Sequence, residues 1–269
     1  MYRVEFIGVP GSGKTTIRKK LIERLKQVEE ERFLSVEEAV LEISREEIDK
    51  VYRIILNILP QSLALKFCNI LLNRNLLQYH AQSRFLAEWG KSFESYLKSS
   101  AFDNMAINDR MIVISGLMEI GSLYECIKNG CLPGETVVFF EEGLIQKSFM
   151  FISPLTNEEA EKTSLYSYLN NIPLPDLIIY VKADLESCHE RMIHRPDGLP
   201  KRLKGIDKAT IFDFLTISDT HLQNVVYWLR VNKNIGLLEI NNNQKLDKVM
   251  YDLERRIEAV FEQQWANLS

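Results

Sequence analysis

The sequence predicts an α/β fold in three layers, in which helices cover both faces of a parallel sheet and a large helical insertion interrupts the order of elements. Short apolar runs alternate along the chain with longer runs at helical spacing. Two of the short runs, 136–140 (TVVFF) and 176–181 (DLIIYV), are almost continuously apolar, as expected of strands buried on both faces. Strands that alternate with helices indicate a parallel sheet, with ligands at the carboxyl ends of its strands.

The chain begins with a predicted strand (2–7), a glycine-rich loop and a predicted helix (16–26). The loop, residues 8–15 (GVPGSGKT), fits the pattern G-x-x-x-x-G-K-[ST] of a phosphate-binding loop, whose backbone N–H groups point toward an anion at a helix N-terminus. We expect Lys14 to reach the β- and γ-phosphates of ATP, and the Thr15 hydroxyl to bind a bridging Mg²⁺ ion. The expected nucleotide-binding residues of the loop are Gly8, Pro10, Gly11, Ser12, Gly13, Lys14, Thr15 and Thr16.

The second predicted strand is short, residues 33–36, and Ser35 with Glu38 predicts a capping box for the helix that follows it. Residues 37–130 have a helical pattern throughout and form the predicted insertion. Its breaks are expected at Pro60, Gly90 and residues 102–103. The remaining predicted elements are strand 136–140, helices to about residue 172, strand 176–181, a helix capped by Asp184 that runs to about Arg195, loop 196–205, helix 207–232, strand 236–240 and helix 244–265.

Two carboxylates follow the strand at 136–140, and they would lie beside the phosphate-binding loop if that strand neighbours the first one. Glu141 is the predicted Mg²⁺ carboxylate, and Glu142 is a predicted catalytic residue that orders or deprotonates the nucleophile. A solvated strand end is the simpler interpretation of the same residues.

A cluster of cations lies in residues 191–206, which we interpret as a lid. Arg191 and Arg195 are four residues apart, hence expected on one face of a helix, where they would neutralise charge on the transferring phosphoryl group. The loop cations Lys201, Arg202 and Lys204 fit a surface patch nearly as well. We assign no role to the two histidines of this segment, His189 and His194, and Asp109 with Arg110 fits either a cleft or a buried pair.

The composition of the chain limits the classes of protein to which it can belong. The 269 residues, 46% hydrophobic and 26% charged, suit one globular domain, 1–269, that contains the insertion. A net charge of −4 argues against a protein that coats nucleic acid. The four cysteines have no zinc spacing and are expected to be reduced and mostly buried: Cys68, Cys126, Cys131 and Cys188. Residues 54–72 are too polar to span a bilayer and predict two packed helices; with no leader sequence, we expect a cytoplasmic protein.

Taken together, these features resemble the nucleoside and nucleotide kinases of the thymidylate-kinase and deoxynucleoside-kinase type. The resemblance covers residues 1–35 and 133–250, and its most specific parts are GVPGSGKTT and PDLIIYVKADLESCHERMIHR with the basic loop after it. It implies a P-loop NTPase fold, ATP as donor, an acceptor pocket formed by the insertion 37–130, lid arginines at Arg191 and Arg195, and adenine contacts in the loop that begins at Asn241.

One position departs from the family. The family's third strand ends in an acidic residue followed by an arginine that grips the acceptor's phosphate; Glu141 matches the acid, but Glu142 stands in place of the arginine. The resemblance therefore leaves the acceptor open among a nucleoside, a nucleotide, a sugar and another small hydroxyl compound.

The expected function is an ATP- and Mg²⁺-dependent kinase for a small molecule, with Lys14, Arg191, Arg195 and Glu142 as catalytic residues. The catalytic base is open between Glu142 and Glu37, which follows the second strand. A P-loop ATPase or GTPase that drives a partner is the alternative, because VVFFEE also resembles a Walker B strand, and a binding scaffold without chemistry is a third. The expected ligands are ATP and a small-molecule acceptor, without nucleic acid or membrane, and a homodimer is left open.

Overall fold

The computed structural model describes residues 1–29, 31–47, 59–60, 63–65, 78–152, 158–195, 198–199, 205 and 207–266. In this part of the chain five strands form one sheet, and every neighbouring pair is parallel. The strands are β1 (Tyr2–Ile7), β2 (Phe33–Ser35), β3 (Val137–Phe140), β4 (Leu177–Lys182) and β5 (Gly236–Asn241). Their order in the sheet is β2-β3-β1-β4-β5. The predicted parallel sheet is confirmed, and each strand begins and ends within one residue of its prediction.

The described ranges also contain nine α-helices and one 3₁₀ helix. They are α1 (Lys14–Lys26), α2 (Val36–Glu47), α3 (Gln78–Leu97), α4 (Ser100–Asp103), α5 (Ile107–Asn129), a 3₁₀ helix (Gln146–Phe151), α6 (Glu158–Asn171), α7 (Leu185–Ile193), α8 (Lys208–Asn232) and α9 (Leu246–Ala266).

Alternate residues of the central strands belong to opposite faces of the sheet, and both faces are buried. Val137 and Phe139 of β3 pack in the cluster that includes α1 and α9, whereas Val138 and Phe140 pack in the cluster that includes α5 and α8. This arrangement gives the three predicted layers, and it explains why the strands read as continuous apolar runs. Truncation of a fully buried ring such as Phe139 to alanine costs about 3–5 kcal/mol.

The position of β3 next to β1 decides where the chemistry can occur. In the register of this pair Glu5 lies opposite Phe140, so the residues after β3 leave the sheet at the same end as the phosphate-binding loop after β1. The capping box at the start of α2 is also confirmed: the Ser35 N–H donates to Glu38 Oε2 at 2.9 Å, and the Glu38 N–H donates to Ser35 Oγ at 3.3 Å.

Several local predictions were wrong. Gly90 lies within α3 and does not break it, because a single glycine costs a packed helix only about 1 kcal/mol. Helix α7 ends at Ile193, which leaves Arg195 in the following loop. The predicted N-cap position of Asp184 is confirmed, although its carboxylate accepts a hydrogen bond from Asn243 and none from the helix.

The predicted helical insertion is seen in its described residues, where α3 packs on α5 and α6. The prediction for residues 54–72 falls almost wholly outside the described residues, as does Cys68. Of the other three cysteines, Cys188 is buried, Cys126 is half-buried and Cys131 is exposed, so the expectation of mostly buried thiols was wrong. No helix in the described ranges combines the length and apolar character that crossing a membrane requires.

Candidate active site

A cavity of about 720 Å³ lies at the carboxyl ends of β1 and β3. One wall consists of the phosphate-binding loop, the residues that follow β3 and the two arginines near the end of α7, and the other consists of apolar residues. Its polar wall contains Pro10, Gly11, Gly13, Lys14, Thr15, Thr16, Glu141, Glu142, Gln146, Lys147, Arg191 and Arg195. The cavity therefore brings together six of the eight predicted loop residues with the predicted residues of the strand end and the two lid arginines, whereas Gly8 and Ser12 do not line it.

The loop has the backbone conformation that an anion-binding nest requires. Gly11 and Gly13 have φ angles of 82° and 94°, which favour glycine, and a Cβ at Gly11 would collide with the carbonyl of Cys188. Gly13 directly precedes α1, and its carbonyl accepts the hydrogen bond of the Ile17 N–H at 3.0 Å. The N-terminus of α1 thus faces the cavity, where its N–H groups and dipole favour a phosphate.

Lys14 is folded back onto the start of the loop. Its Nζ donates to the carbonyl of Gly8 at 2.6 Å and to the carbonyl of Val9 at 3.3 Å. Burial lowers the pKa of Lys14, while Glu142 and Glu141 act in the opposite direction. A buried ammonium group that faces a cavity gains charge-assisted hydrogen bonds when an anion enters, as the phosphate-binding prediction requires.

Thr15 and Glu141 lie together, as predicted for a metal site. The Thr15 hydroxyl donates to Glu141 Oε1, and Arg18 Nη2 donates to Glu141 Oε2 at 2.9 Å. Arg18 also lies 3.9 Å from Glu37 Oε2, so one buried guanidinium links the carboxylates that follow β2 and β3. The sequence reasoning missed Arg18, although its position one turn after Lys14 places both on the same face of α1.

The donor set at this point fits Mg²⁺. A hydroxyl and a carboxylate are hard oxygen ligands, and Mg²⁺ in phosphoryl-transfer sites is usually bound by one or two such side chains, water and substrate phosphates. The described residues include no group of three or more His, Cys, Asp or Glu side chains that could hold a metal on its own. A metal here would thus depend on the phosphates for most of its ligands.

Glu142 lines the cavity beside Lys147, at 3.2 Å from its Nζ. Burial by itself would raise the pKa of Glu142, but the nearby Lys147 and Lys14 outweigh it and lower the pKa. Glu142 is therefore ionised at neutral pH and can accept a proton or orient a nucleophile. Glu37, the other predicted base, is absent from the described lining of the cavity.

The two predicted lid arginines differ in their contacts. Arg191 donates to the carbonyls of Gly11 and Asn242, at 3.4 Å each, and so ties α7 to the phosphate-binding loop. Arg195 is not on the same helix face, contrary to the prediction, because α7 ends at Ile193; it reaches the cavity from the loop. The loop cations Lys201, Arg202 and Lys204 lie outside the described residues.

Asn241, the predicted adenine contact, is exposed at the end of β5, and its side chain accepts a hydrogen bond from the N–H of Asn243 at 3.0 Å. Its neighbour Asn242 is the one that meets the loop: it is buried, and its Nδ2 donates to the carbonyl of Ser12 at 2.7 Å. A role of Asn241 toward adenine stays a prediction.

Asp109 and Arg110 form neither a cleft nor a buried pair. Arg110 stacks on Phe102 and donates to the carbonyls of Met105 and Asp103, which closes the turn before α5. His189 Nε2 lies 3.0 Å from the carbonyl of Lys208 and joins α7 to α8.

The second wall of the cavity is apolar and comes from four separate elements. Helix α5 contributes a strip of four residues, one of which is the glycine at position 116. A Cβ built on this glycine meets no other atom within 4 Å. The apolar wall consists of Ile112, Val113, Gly116, Leu117, Phe149, Met150, Met192 and Phe214. The sequence assigned the acceptor region to residues 37–130 but named none of these residues.

Gln146 and Glu5 hold the start of the phosphate-binding loop through a chain of hydrogen bonds, and the sequence reasoning missed both residues. Gln146 is buried, and its side-chain amide accepts from the N–H of Gly8 at 2.9 Å and donates to the carbonyl of Gly8 at 3.1 Å. Glu5 accepts from the N–H of Gln146 at 2.7 Å and from the hydroxyl of Tyr124 on α5 at 3.1 Å. Complete burial raises the pKa of Glu5 to about 7. The sequence did contain a signal for this buried group, because Glu5 is a charged residue within the pattern of a predicted β-strand.

No protein-family model matches the chain, and no curated protein sequence matches it. Among solved structures the chain is similar to deoxyadenosine kinase from M. mycoides with the products dCMP and a flexible dCDP bound, with a TM-score of 0.49 and 11% identity over 96% of this chain and 99% of that chain. A second structure of deoxyadenosine kinase from M. mycoides, with dCTP bound, has a TM-score of 0.46 and the same identity and coverage.

Proposed function

We propose that this protein is an ATP-dependent phosphotransferase that transfers the γ-phosphoryl group of ATP to a hydroxyl of a small molecule. The observation that carries the proposal is the composition of the cavity: a phosphate-binding loop with a buried lysine forms one wall, and apolar side chains from four elements form the other. A protein that only hydrolyses nucleotide has no need of an apolar compartment beside the phosphates, whereas a kinase must hold an acceptor there.

The residues of the polar wall suit in-line transfer of a phosphoryl group. Lys14 and the N–H groups of the loop hold the β- and γ-phosphates, and Arg195 meets the charge that develops on the transferring group. Thr15 and Glu141 would hold Mg²⁺, which when bound supplies charge neutralisation between the phosphates.

Glu142 is the better-supported base of the two candidates, since it lines the cavity and Glu37 is not among the lining residues. In the proposed step the acceptor's hydroxyl oxygen forms a bond to the γ-phosphorus, the bond from that phosphorus to ADP breaks, and the hydroxyl proton passes to Glu142.

The acceptor is proposed to be a nucleoside or a similar compound with an apolar or aromatic body and a free hydroxyl. Phe149, Met150, Met192 and Phe214 offer ring and thioether surfaces to such a body. An acceptor that already carries a phosphate is disfavoured, because Glu142 would repel it. In this proposal residues 37–130 provide the acceptor region, 191–206 act as the lid, and both belong to one kinase domain in the cytoplasm.

A second candidate function is ATP hydrolysis, and the ionised Glu142 beside Lys14 is the observation that favours it, because a carboxylate at that point can also orient water. The two functions differ in what stimulates ADP formation. A kinase forms ADP faster when its acceptor is added, whereas an ATPase transfers the phosphoryl group to water and forms ADP without an acceptor.

The test is an acceptor screen. The purified protein is incubated with Mg-ATP and a panel of nucleosides, nucleoside monophosphates and sugars, and ADP is measured together with the mass of each acceptor. We expect one class of unphosphorylated hydroxyl compounds to raise ADP formation well above background and to gain one phosphoryl group. ADP formation that no compound stimulates would contradict the kinase proposal. Lys14→Ala protein, purified in the same way, controls for contaminating kinases.

A further inference from the structure

Gln146 occupies an unusual position for a side chain that has no part in the predicted chemistry. It is 4% exposed, and both ends of its amide bind one residue, Gly8, which begins the phosphate-binding loop. Its backbone N–H is fixed in turn by Glu5, which is fully buried in the centre of β1. The amide therefore has one orientation, with the oxygen on the Gly8 N–H and the nitrogen on the Gly8 carbonyl.

The carbonyl of Gly8 has two donors. Lys14 Nζ lies at 2.6 Å and Gln146 Nε2 at 3.1 Å. If Lys14 turns to the phosphates of a nucleotide, as the proposed function requires, this buried carbonyl loses its shorter hydrogen bond. A buried carbonyl without any donor is costly, so a second donor that stays in place makes the movement of Lys14 easier.

We propose that Gln146 is a positioning residue of the nucleotide site: it fixes Gly8 and keeps the Gly8 carbonyl hydrogen-bonded when Lys14 moves from that carbonyl to the phosphates. This inference rests on the proposed function for the use of Lys14, and it extends that function to a residue outside the phosphate-binding motif.

The inference predicts a specific coupling between Gln146 and Lys14. In Gln146→Met the carbonyl of Gly8 keeps only Lys14 as a donor, and it loses this donor when Lys14 turns to the phosphates. The affinity for the nucleotide should therefore fall about tenfold or more. In a Lys14→Ala background the carbonyl has the same partners before and after binding. The Gln146→Met substitution should then change affinity by less than about threefold, and this non-additivity is the signature of the shared carbonyl.

The experiment measures the dissociation constant of a non-hydrolysable ATP analogue with Mg²⁺ by calorimetry, together with the melting temperature, for the wild type, both single variants and the double variant. Ser148→Ala is the matched control. Ser148 is a buried polar residue of the same 3₁₀ helix and lies 3.0 Å from His221, away from Gly8. It should lower the melting temperature without changing affinity for the analogue.

The possible outcomes separate a positioning role of Gln146 from a merely structural one. A tenfold loss in Gln146→Met that is absent from Ser148→Ala and largely absent in the Lys14→Ala background supports the inference. Equal losses in Gln146→Met and Ser148→Ala, or a loss that persists in the Lys14→Ala background, would show a structural role only and overturn it. Wild-type affinity in Gln146→Met overturns the inference and leaves the proposed function intact, whereas a wild type that binds no analogue overturns the proposed function as well.

Discussion

The two walls of the cavity are built in different ways. The centre of the phosphate wall is one continuous stretch, residues 10–16 at the start of α1, and the residues after β3 with the two arginines complete it. The apolar wall comes from α5, the 3₁₀ helix, α7 and α8, which are distant in sequence and meet only through packing. Under the proposed function, phosphate recognition depends largely on a local stretch of sequence, whereas acceptor recognition depends on tertiary structure. Substitutions in the two walls should therefore have different kinetic effects.

The largest effect is expected from Lys14→Ala in the phosphate wall. Removal of the cation that faces the β- and γ-phosphates should lower phosphoryl transfer by about 10³-fold or more. The fold should remain, because the Lys14 ammonium binds only loop carbonyls. Steady-state turnover and the circular dichroism spectrum are the two measurements. Unchanged turnover in a well-folded Lys14→Ala protein would contradict the role of the loop.

The next effect separates the two arginines of the same wall. Arg195→Ala should lower kcat by about 10²- to 10³-fold and leave ATP affinity nearly unchanged, because the guanidinium meets charge that develops in the transition state. Arg191→Ala should reduce kcat and also weaken ATP binding, since Arg191 holds the carbonyl of Gly11 in the loop. Kinetics with varied ATP give both parameters. If Arg195→Ala weakens ATP binding and spares kcat, its assigned role is wrong.

The apolar wall can be tested without touching the loop. Because Gly116 lines the cavity and a Cβ there meets nothing within 4 Å, Gly116→Leu should place a side chain in the acceptor's space. We expect kcat/KM for the acceptor to fall about 10²-fold, with the affinity for ATP unchanged. Gly90→Leu is the matched control, because Gly90 is also helical and open but does not line the cavity. Equal activity in both variants would place the acceptor elsewhere.

The smallest effect concerns Glu5, which contacts both Gln146 and Tyr124 beneath the two walls. Its folded-state pKa of about 7 is above the ordinary value of 4.5, so the folded state binds more protons than the unfolded state between these values. Glu5 should therefore make the free energy of unfolding fall as pH rises from 4.5 to about 7 and stay level above that. Denaturant titrations across this range should show that decline flattened in Glu5→Gln, whereas an identical slope in both proteins would contradict the raised pKa.

The sequence predicted the elements whose signals are local. The phosphate-binding loop, the capping box at Ser35 and the buried strands each depend on patterns within a few residues, and all are confirmed as structural elements. The placement of Glu141 beside Thr15 was also predicted, because parallel strands end at one edge of a sheet.

The remaining parts of the site depend on contacts between distant residues. Gln146 meets Gly8 across 138 positions and Asn242 meets Ser12 across 230, and no spacing rule relates such residues. The end of α7 was misplaced by two residues, because the prediction carried the helix up to Pro196, although a proline disfavours helical backbone at the residue before it, here Arg195. The residues of the apolar wall could not be predicted, because apolar residues on a helix fit a hydrophobic core and a ligand pocket equally well.

The most direct test of the kinase proposal follows the γ-phosphate of ATP. With γ-labelled ATP and the acceptor found by screening, the label should appear on the acceptor, and release of inorganic phosphate should stay slow and change little in Glu142→Arg. The same substitution removes the proposed base, so transfer to every acceptor should slow, and the transfer that remains should favour phosphorylated compounds, because a cation replaces a repelling carboxylate. Label found only in inorganic phosphate, in a reaction that no acceptor stimulates and that Glu142→Gln abolishes, would contradict the kinase proposal and identify an ATPase.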